Sequence, residues 1–452
     1  MAGIGWKLQR MIDRGSLAGT IGAYLTGVAV TSAPWLLTTA VLTSLRLVAR
    51  FGGTPDFLNI ERIVTLVYAL TVVFSAPVHV VVSRAIADRL YERRLDQIAA
   101  PLWRAVALTV VGFLILGAAL MLILGVSLPI GVAGTMLTVV VGTQWLLLSV
   151  GGGLSSPTVV LRAFCLGAPL SIVAALIGSH VLGLGALGYL YGYAAGQLVT
   201  LAFLLRGVAA VLPPEMDEGA RLAPAFAEYW LLALSSLVYY LSIWTDKIVI
   251  WVLLGREAAE VYSGLSAIAW FSVIPAFGWI YVNVETAFYR RFRTFYGALE
   301  AGAPLARLHE GAAQVATESR RILLGAAEIQ LAGTLIVLLA AAPIVRVAGM
   351  RPESVWAFRL VTVGAAIQVL ALLEILLLYY FDLRREALLI SLVLLGGEAV
   401  LMTLAQAVGV PPAVGYPFAC LCAALTGLAL VRSRLRTLLA DTFQSQPFSS
   451  AT

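Results

Sequence analysis

Long apolar runs follow one another along almost the whole chain, and they restrict the fold before any motif is considered. A helix needs about 20 predominantly apolar residues to cross the hydrocarbon core of a bilayer. Runs of that kind lie at 18–45, 62–83, 102–125, 130–150, 157–179 and 183–211, and again at 228–254, 261–288, 321–345, 354–381, 385–408 and 411–432. Charged residues make up 12% of the 452 positions, against about 25% in soluble domains. Mean hydropathy is +0.95. In lipid each backbone polar group must be satisfied within its own segment, so the expected fold is all-α and integral to the membrane, with about 12 transmembrane helices. The first run, from Ala18 to Leu45, is too long for the core of a cleaved signal and reads as the first span.

The basic residues orient these spans. Lys7, Arg10 and Arg14, then Arg84–Arg94, Arg290–Arg293, Arg384–Arg385 and Arg432–Arg436 fall on one side, and only Arg46, Arg50, Arg62, Arg256, Arg346 and Arg351 on the other. By the positive-inside rule the richer side is cytoplasmic, which puts both termini inside. Residues 4–15 alternate an apolar face (Ile4, Leu8, Met11, Ile12) with a basic one, the pattern of an interfacial helix on an anionic bilayer surface. The net charge of +6 resides in the loops and therefore reports topology rather than nucleic-acid binding. Cys165, Cys420 and Cys422 stand in apolar runs without ligand-like neighbours, so neither a disulfide framework, a metal site nor a cofactor is expected.

The linker Pro213-Pro214-Glu215-Met216-Asp217-Glu218-Gly219-Ala220-Arg221 divides the spans into two sets. In each set the second span carries a proline followed by a basic segment: Phe74-Ser75-Ala76-Pro77 before Arg84–Arg94, and Val273-Ile274-Pro275 before Arg290–Arg293. The expected plan is an N-terminal six-helix lobe over 1–211, a cytoplasmic linker over 212–227, a C-terminal six-helix lobe over 228–432 and a cytoplasmic tail over 433–452. The lobes are expected to be parallel repeats about an axis along the membrane normal.

Within this apolar chain the run Tyr239-Tyr240-Leu241-Ser242-Ile243-Trp244-Thr245-Asp246-Lys247 places an acid and a base side by side. Lys247 is one of two lysines; the other is Lys7. A charge in a membrane helix costs about 2.5–3.5 kcal/mol on insertion scales, so it should face protein or water. Adjacent helical positions point about 100° apart, which predicts that Asp246 and Lys247 do not pair with each other and that each finds a partner elsewhere. Two readings stay open: an inter-helix ion pair that fixes packing, or charges lining a transport path. The first half has no acid within its expected spans, whereas the second holds Glu285, Glu328, Glu374 and Glu398 beside Asp246. Glu328, Glu374 and Glu398 join Asp246 and Lys247 as candidates for substrate contact or ion coupling, and Glu285 is expected at the interface beside Arg290. Tyr239, Tyr240 and Trp244 lie on one side of the same helix; aromatic faces beside isolated charges suit a sugar ring, although most membrane aromatics are belt or packing residues. His79 is expected as a hydrogen-bonded structural residue, and His180 and His309 in loops.

The longest aqueous segment, 289–320, has neither a Gly-rich phosphate loop nor metal-ligand spacing, and no catalytic residue is assigned. Arg290, Arg291 and Arg293 make it a docking surface for a cytoplasmic partner rather than an active site.

The opening block Met1-Ala2-Gly3-Ile4-Gly5-Trp6-Lys7-Leu8-Gln9-Arg10, with Gly15-Ser16-Leu17, Tyr24 and Thr31-Ser32-Ala33-Pro34-Trp35-Leu36-Leu37, resembles the PelG family. Length, the twelve-span plan and the Trp244-Thr245-Asp246-Lys247 stretch are similar too. The resemblance implies a relative of the polysaccharide and multidrug flippases, two six-helix lobes around a central cavity. It also implies export of a hexosamine-rich exopolysaccharide across the bacterial inner membrane for biofilm matrix. Implied partners are the nascent polysaccharide, a cytoplasmic glycosyltransferase, further Pel membrane subunits and the bilayer. A cation-coupled exporter of a lipid-linked oligosaccharide or small molecule on the same fold is the competing reading.

Overall fold

The computed structural model describes residues 2–13, 15–51, 57–92, 94, 97–154, 157–213 and 222–445, and among them there is helix and no strand. The helices are α1 (Ala2–Asp13), α2 (Leu17–Phe51), α3 (Phe57–Tyr91), α4 (Ala99–Ile123), α5 (Leu128–Leu154), α6 (Pro157–Leu176), α7 (Gly185–Ala209), α8 (Ala223–Glu228) and α9 (Trp230–Leu254), followed by α10 (Arg256–Ala269), α11 (Ile274–Asn283), α12 (Tyr289–Glu300), α13 (Leu305–Leu339), α14 (Ala341–Val347), α15 (Val355–Tyr380), α16 (Arg384–Ala407) and α17 (Gly415–Ser445). Eleven helices among the described residues are long and apolar enough to cross a membrane, and a twelfth span is formed if the bent α2 is counted as one. Its parts, Leu17–Ala29 and Pro34–Ala49, run at 62° to each other. Pro34 supplies the cause, since proline removes a ladder N–H and clashes with the preceding turn.

Several helices outrun their apolar cores. The eighth span is a nearly continuous rod, Arg256–Glu300. It is interrupted by a 3₁₀ turn, Trp270–Val273, just before Pro275 and by a π-turn, Val284–Phe288. The expected aqueous segment 289–320 is helical on both sides of a tight turn in which Gly302 takes φ +64°, so His309 lies in α13 and not in a loop. His180 likewise ends a π-turn, Ile177–Val181, its Nε2 3.0 Å from the Tyr189 hydroxyl. The span expected at 321–345 breaks at Ala340, and the 433–452 tail begins inside α17, which runs on to Ser445. Arg434 there binds Glu386, and its second nitrogen lies 3.5 Å from Asp441. The first half is not free of helical acids, because α3 extends far enough to include Glu61 and Asp88.

The chain forms two compact units. Apart from the first four residues, one comprises 29–240 and the other 5–28 with 241–452. Two local contacts account for this division. Tyr24 of α2 stacks on Trp279 (centroids 5.7 Å apart, planes 4° apart) and its hydroxyl accepts from Asn283 Nδ2 at 3.2 Å, which ties the start of α2 to α11. Leu8 of α1 is buried while Arg10 is exposed, in keeping with the amphipathic pattern. At the other end, the Tyr229 hydroxyl donates to Asp88, and the Trp103 indole donates to the Leu212 carbonyl at 3.1 Å, so the flanks of the linker belong to the first unit. Burial and the Asp88 carboxylate push the Tyr229 phenol up from its ordinary value. Residues 214–221 of the expected linker lie outside the described residues.

In the first unit α5 packs on α3, α4 and α7, and α6 on α7. Polar contacts join these helices: Tyr68 with Tyr193 at 2.7 Å, Ser83 with Ser149 at 2.7 Å, and Gln144 donating to the Gln197 carbonyl at 2.8 Å. Lipid gives no hydrophobic drive between helices, so close approach and such bonds must hold them. On α7 the row Gly188, Gly192, Gly196 recurs every four residues and meets Gly178, Ala175 and Ser171 of the preceding helix and its π-turn. A Cβ at Gly192 would overlap the backbone of Ala174 and Ala175. Gly192→Leu should therefore cost more than the about 1–3 kcal/mol of ordinary core overpacking and deplete monodisperse protein in detergent size-exclusion profiles. Gly112→Ala on α4, where a Cβ meets nothing within 4 Å, should leave the profile unchanged.

Candidate functional site

Helix α9 passes from the first unit into the second at residues 240–241. Just beyond, Asp246 is 1% exposed and Lys247 partly buried. The two do pair. Lys247 Nζ lies 2.9 Å from Asp246 Oδ1 and 3.0 Å from Oδ2, and also donates to the Ile243 carbonyl at 2.9 Å. The backbone N–H of Lys247 donates to the same Asp246 Oδ1 at 2.9 Å. The expectation from helical angles fails because the four-carbon lysine stem folds back along the helix while the carboxylate turns toward its own C-terminal neighbour. Two separately buried charges would cost far more than ordering these side chains into one pair. The stem passes Trp244, whose ring centroid is 5.9 Å from Nζ.

Glu398 of α16 joins this pair. It is fully buried, it faces Asp246 and Lys247, and neither of its oxygens makes a well-formed hydrogen bond among the described residues. Tyr262 of α10 faces Asp246 and Glu398, its hydroxyl likewise without a well-formed bond. Tyr416 of α17 donates to Gln368 Oε1 of α15 at 2.7 Å, and Cys420, one turn on, is buried against the same two acids. Five helices of the second unit thus enclose one polar cluster. Of its members, Asp246, Lys247, Trp244 and Glu398 were singled out from sequence, whereas Tyr262, Gln368 and Tyr416 were missed. The one available signal was the i,i+4 spacing of Tyr416 and Cys420, which places both on one helical face.

The other candidates stand apart. Glu374 of α15 is buried with its carboxyl packed on Gly427 of α17, Oε2 lacks a partner among the described residues, and no cation faces it. Glu328 is on an exposed face of α13. Glu285 is not at an interface beside Arg290: the π-turn buries it, and the Tyr380 hydroxyl donates to it at 3.5 Å. Tyr239 and Tyr240 pack edge to face on each other, and Tyr240 meets His79 of α3 at 5.7 Å, all within the first unit. His79 Nδ1 has no hydrogen-bonding partner among the described residues, contrary to expectation; its ring is held by the aromatic contact. Arg290, Arg291 and Arg293 are exposed on α12, Arg291 donating to Gln314 Oε1 at 2.9 Å.

The family model of PelG, the exopolysaccharide exporter family EPS-E, matches residues 1–443. The chain belongs to the PelG family. Solved structures place its fold among MATE transporters of the MOP superfamily, which have two lobes of six helices. A MATE transporter in a bent conformation superposes with a TM-score of 0.67 at 16% identity, covering 97% of this chain and 99% of the other. The Vibrio cholerae MATE transporter VcmN gives 0.63 at 14%, covering 95% and 98%. A MOP-superfamily transporter from Pyrococcus furiosus gives 0.62 at 15%, covering 91% and 96%. No curated protein matches the chain. At these identities the structures show the fold alone, and the PelG family carries the function: a multi-pass membrane transporter with an exopolysaccharide as its substrate class.

Within this PelG-family chain, Lys247→Met would leave two facing carboxylates without their cation. Breaking a buried pair from one side costs about 3–5 kcal/mol, so the thermal midpoint and membrane yield should fall, and adding Asp246→Asn to the same chain should recover much of the loss. Equal yields of native and single-variant protein would show a hydrated pair instead.

Proposed function

We propose that this chain exports a hexosamine-rich exopolysaccharide of the Pel type across the bacterial inner membrane, where the polymer becomes biofilm matrix. The observation that carries this reading is the PelG family match over residues 1–443, nearly the whole chain. The MATE-like fold is compatible with it, but the family match and not the fold is what supports the function. The nascent polymer comes from a cytoplasmic glycosyltransferase, and further Pel membrane subunits complete the assembly. Both termini face the cytoplasm, as the arginine distribution supports. In a polymer-producing strain, removing this chain should abolish hexosamine polymer in the culture supernatant while the glycosyltransferase stays active in membrane extracts. Accumulation of a short lipid-linked oligosaccharide in its place would favour the competing exporter of a lipid-linked substrate.

The glycosyltransferase docks on α12 and α13. Arg290, Arg291 and Arg293 are exposed there, beside an aromatic cluster of Phe288, Phe292, Tyr380 and Phe381 that stiffens the end of the helix. Reversing the three arginines to glutamate should lower co-purification of the glycosyltransferase several-fold and leave membrane abundance unchanged. Full co-purification would reduce these arginines to topology and lipid contacts.

A further inference from the structure

The second unit holds a charge imbalance that helix packing alone does not require. Asp246 and Glu398 are both buried acids, and one ammonium, that of Lys247, faces them. Fully ionised, the three groups sum to a single negative charge. Lys247 spends its contacts on both oxygens of Asp246 and on the Ile243 carbonyl. Neither Glu398 oxygen makes a well-formed hydrogen bond among the described residues, the Asp246 backbone being the donor toward it, and the Tyr262 hydroxyl faces Asp246 without a well-formed bond of its own. Cys420 and Tyr416 also face it from α17, and the Tyr416 hydroxyl is already committed to Gln368. No second cation is among these groups. A carboxylate held out of water without partners is far more costly than a neutral one.

Two kinds of ion could balance the cluster, and the donor set favours one. No group of three or more His, Cys, Asp or Glu among the described residues is arranged to hold a metal ion. The Lys247 ammonium, moreover, already sits across both Asp246 oxygens, where a metal ion would have to bind.

The geometry points to a proton-exchange site at Glu398, with Lys247 as a built-in counter-ion shared between Glu398 and Asp246. The inference rests on the transport reading and adds the ion that drives it. With a proton on Glu398, Lys247 stays on Asp246. When the proton leaves, Glu398 competes for the ammonium and changes how α9 is held against α16. The step moves one proton from water to a carboxylate oxygen and back to water, and no other bond changes. α9, like α2, has residues in both units, so its hold on α16 is an element through which such a step can bear on transport.

Infrared difference spectroscopy of the full chain in lipid nanodiscs, titrated with pH, tests this without any polysaccharide. It therefore fails or succeeds independently of the export assay. The native protein should show a carbonyl band of a protonated carboxylic acid that titrates. The band should persist in Glu374→Gln, which removes the other unpartnered buried acid, and vanish in Glu398→Gln. In Lys247→Met it should titrate at higher pH, since the cation that favours the ionised form is gone. Replacing sodium by choline should leave it unmoved. If Glu398→Gln gives no folded protein, Asp246→Asn makes the same comparison, because losing the competing carboxylate must shift the Glu398 band. A band that survives Glu398→Gln, stays fixed in Asp246→Asn, or responds to sodium overturns the proposal.

Discussion

The bilayer core offers no hydrogen-bonding solvent, and every feature of this protein answers to that fact. Backbone groups close within helices, which explains why the described residues are helical and why the breaks are short and placed at prolines or π-turns. Side-chain polar groups meet the same demand across helices, through Tyr68 with Tyr193, Gln144 with Gln197 and Tyr416 with Gln368. Some buried groups among the described residues are left unanswered, and Glu398 is the one of them with both side-chain oxygens in that state.

Helices that have crossed lipid associate through something other than the hydrophobic effect. In the first unit the solution is small residues: the glycine row of α7 lets two backbones approach closely. In the second unit large aromatics and buried polar residues fill the same role, with Tyr416, Tyr262 and Phe288 among the buried side chains. Close glycine approaches and buried polar contacts occur in both units, and the cluster of Asp246, Lys247 and Glu398 lies in the second.

Most of the fold could be read from the residues before any coordinates. Apolar runs gave the spans. The errors came where hydropathy ends but a helix does not. Residues 289–320 and the end of α17 are polar and still helical, because an amphipathic helix beyond the hydrocarbon loses nothing by exposing one face to water. The make-up of the two units was not legible either, since Tyr24 on Trp279 and Tyr229 on Asp88 are contacts between residues far apart in the chain.

The sequence by itself determined that this is a multi-pass helical membrane protein, that Asp246, Lys247, Glu328, Glu374 and Glu398 are its unusual charges, and, through its opening block, which family it resembles. Those properties depend on residue type and local order, which a bilayer reads almost directly. Only the tertiary structure decided that Lys247 folds back onto Asp246, that Glu398 rather than Glu328 or Glu374 meets the pair, and that Tyr262 completes the cluster. Hydropathy and spacing cannot give such partnerships. They arise from the rotation and register of five packed helices, and a turn of about 100° in any one helix would bring a different side chain to the same place.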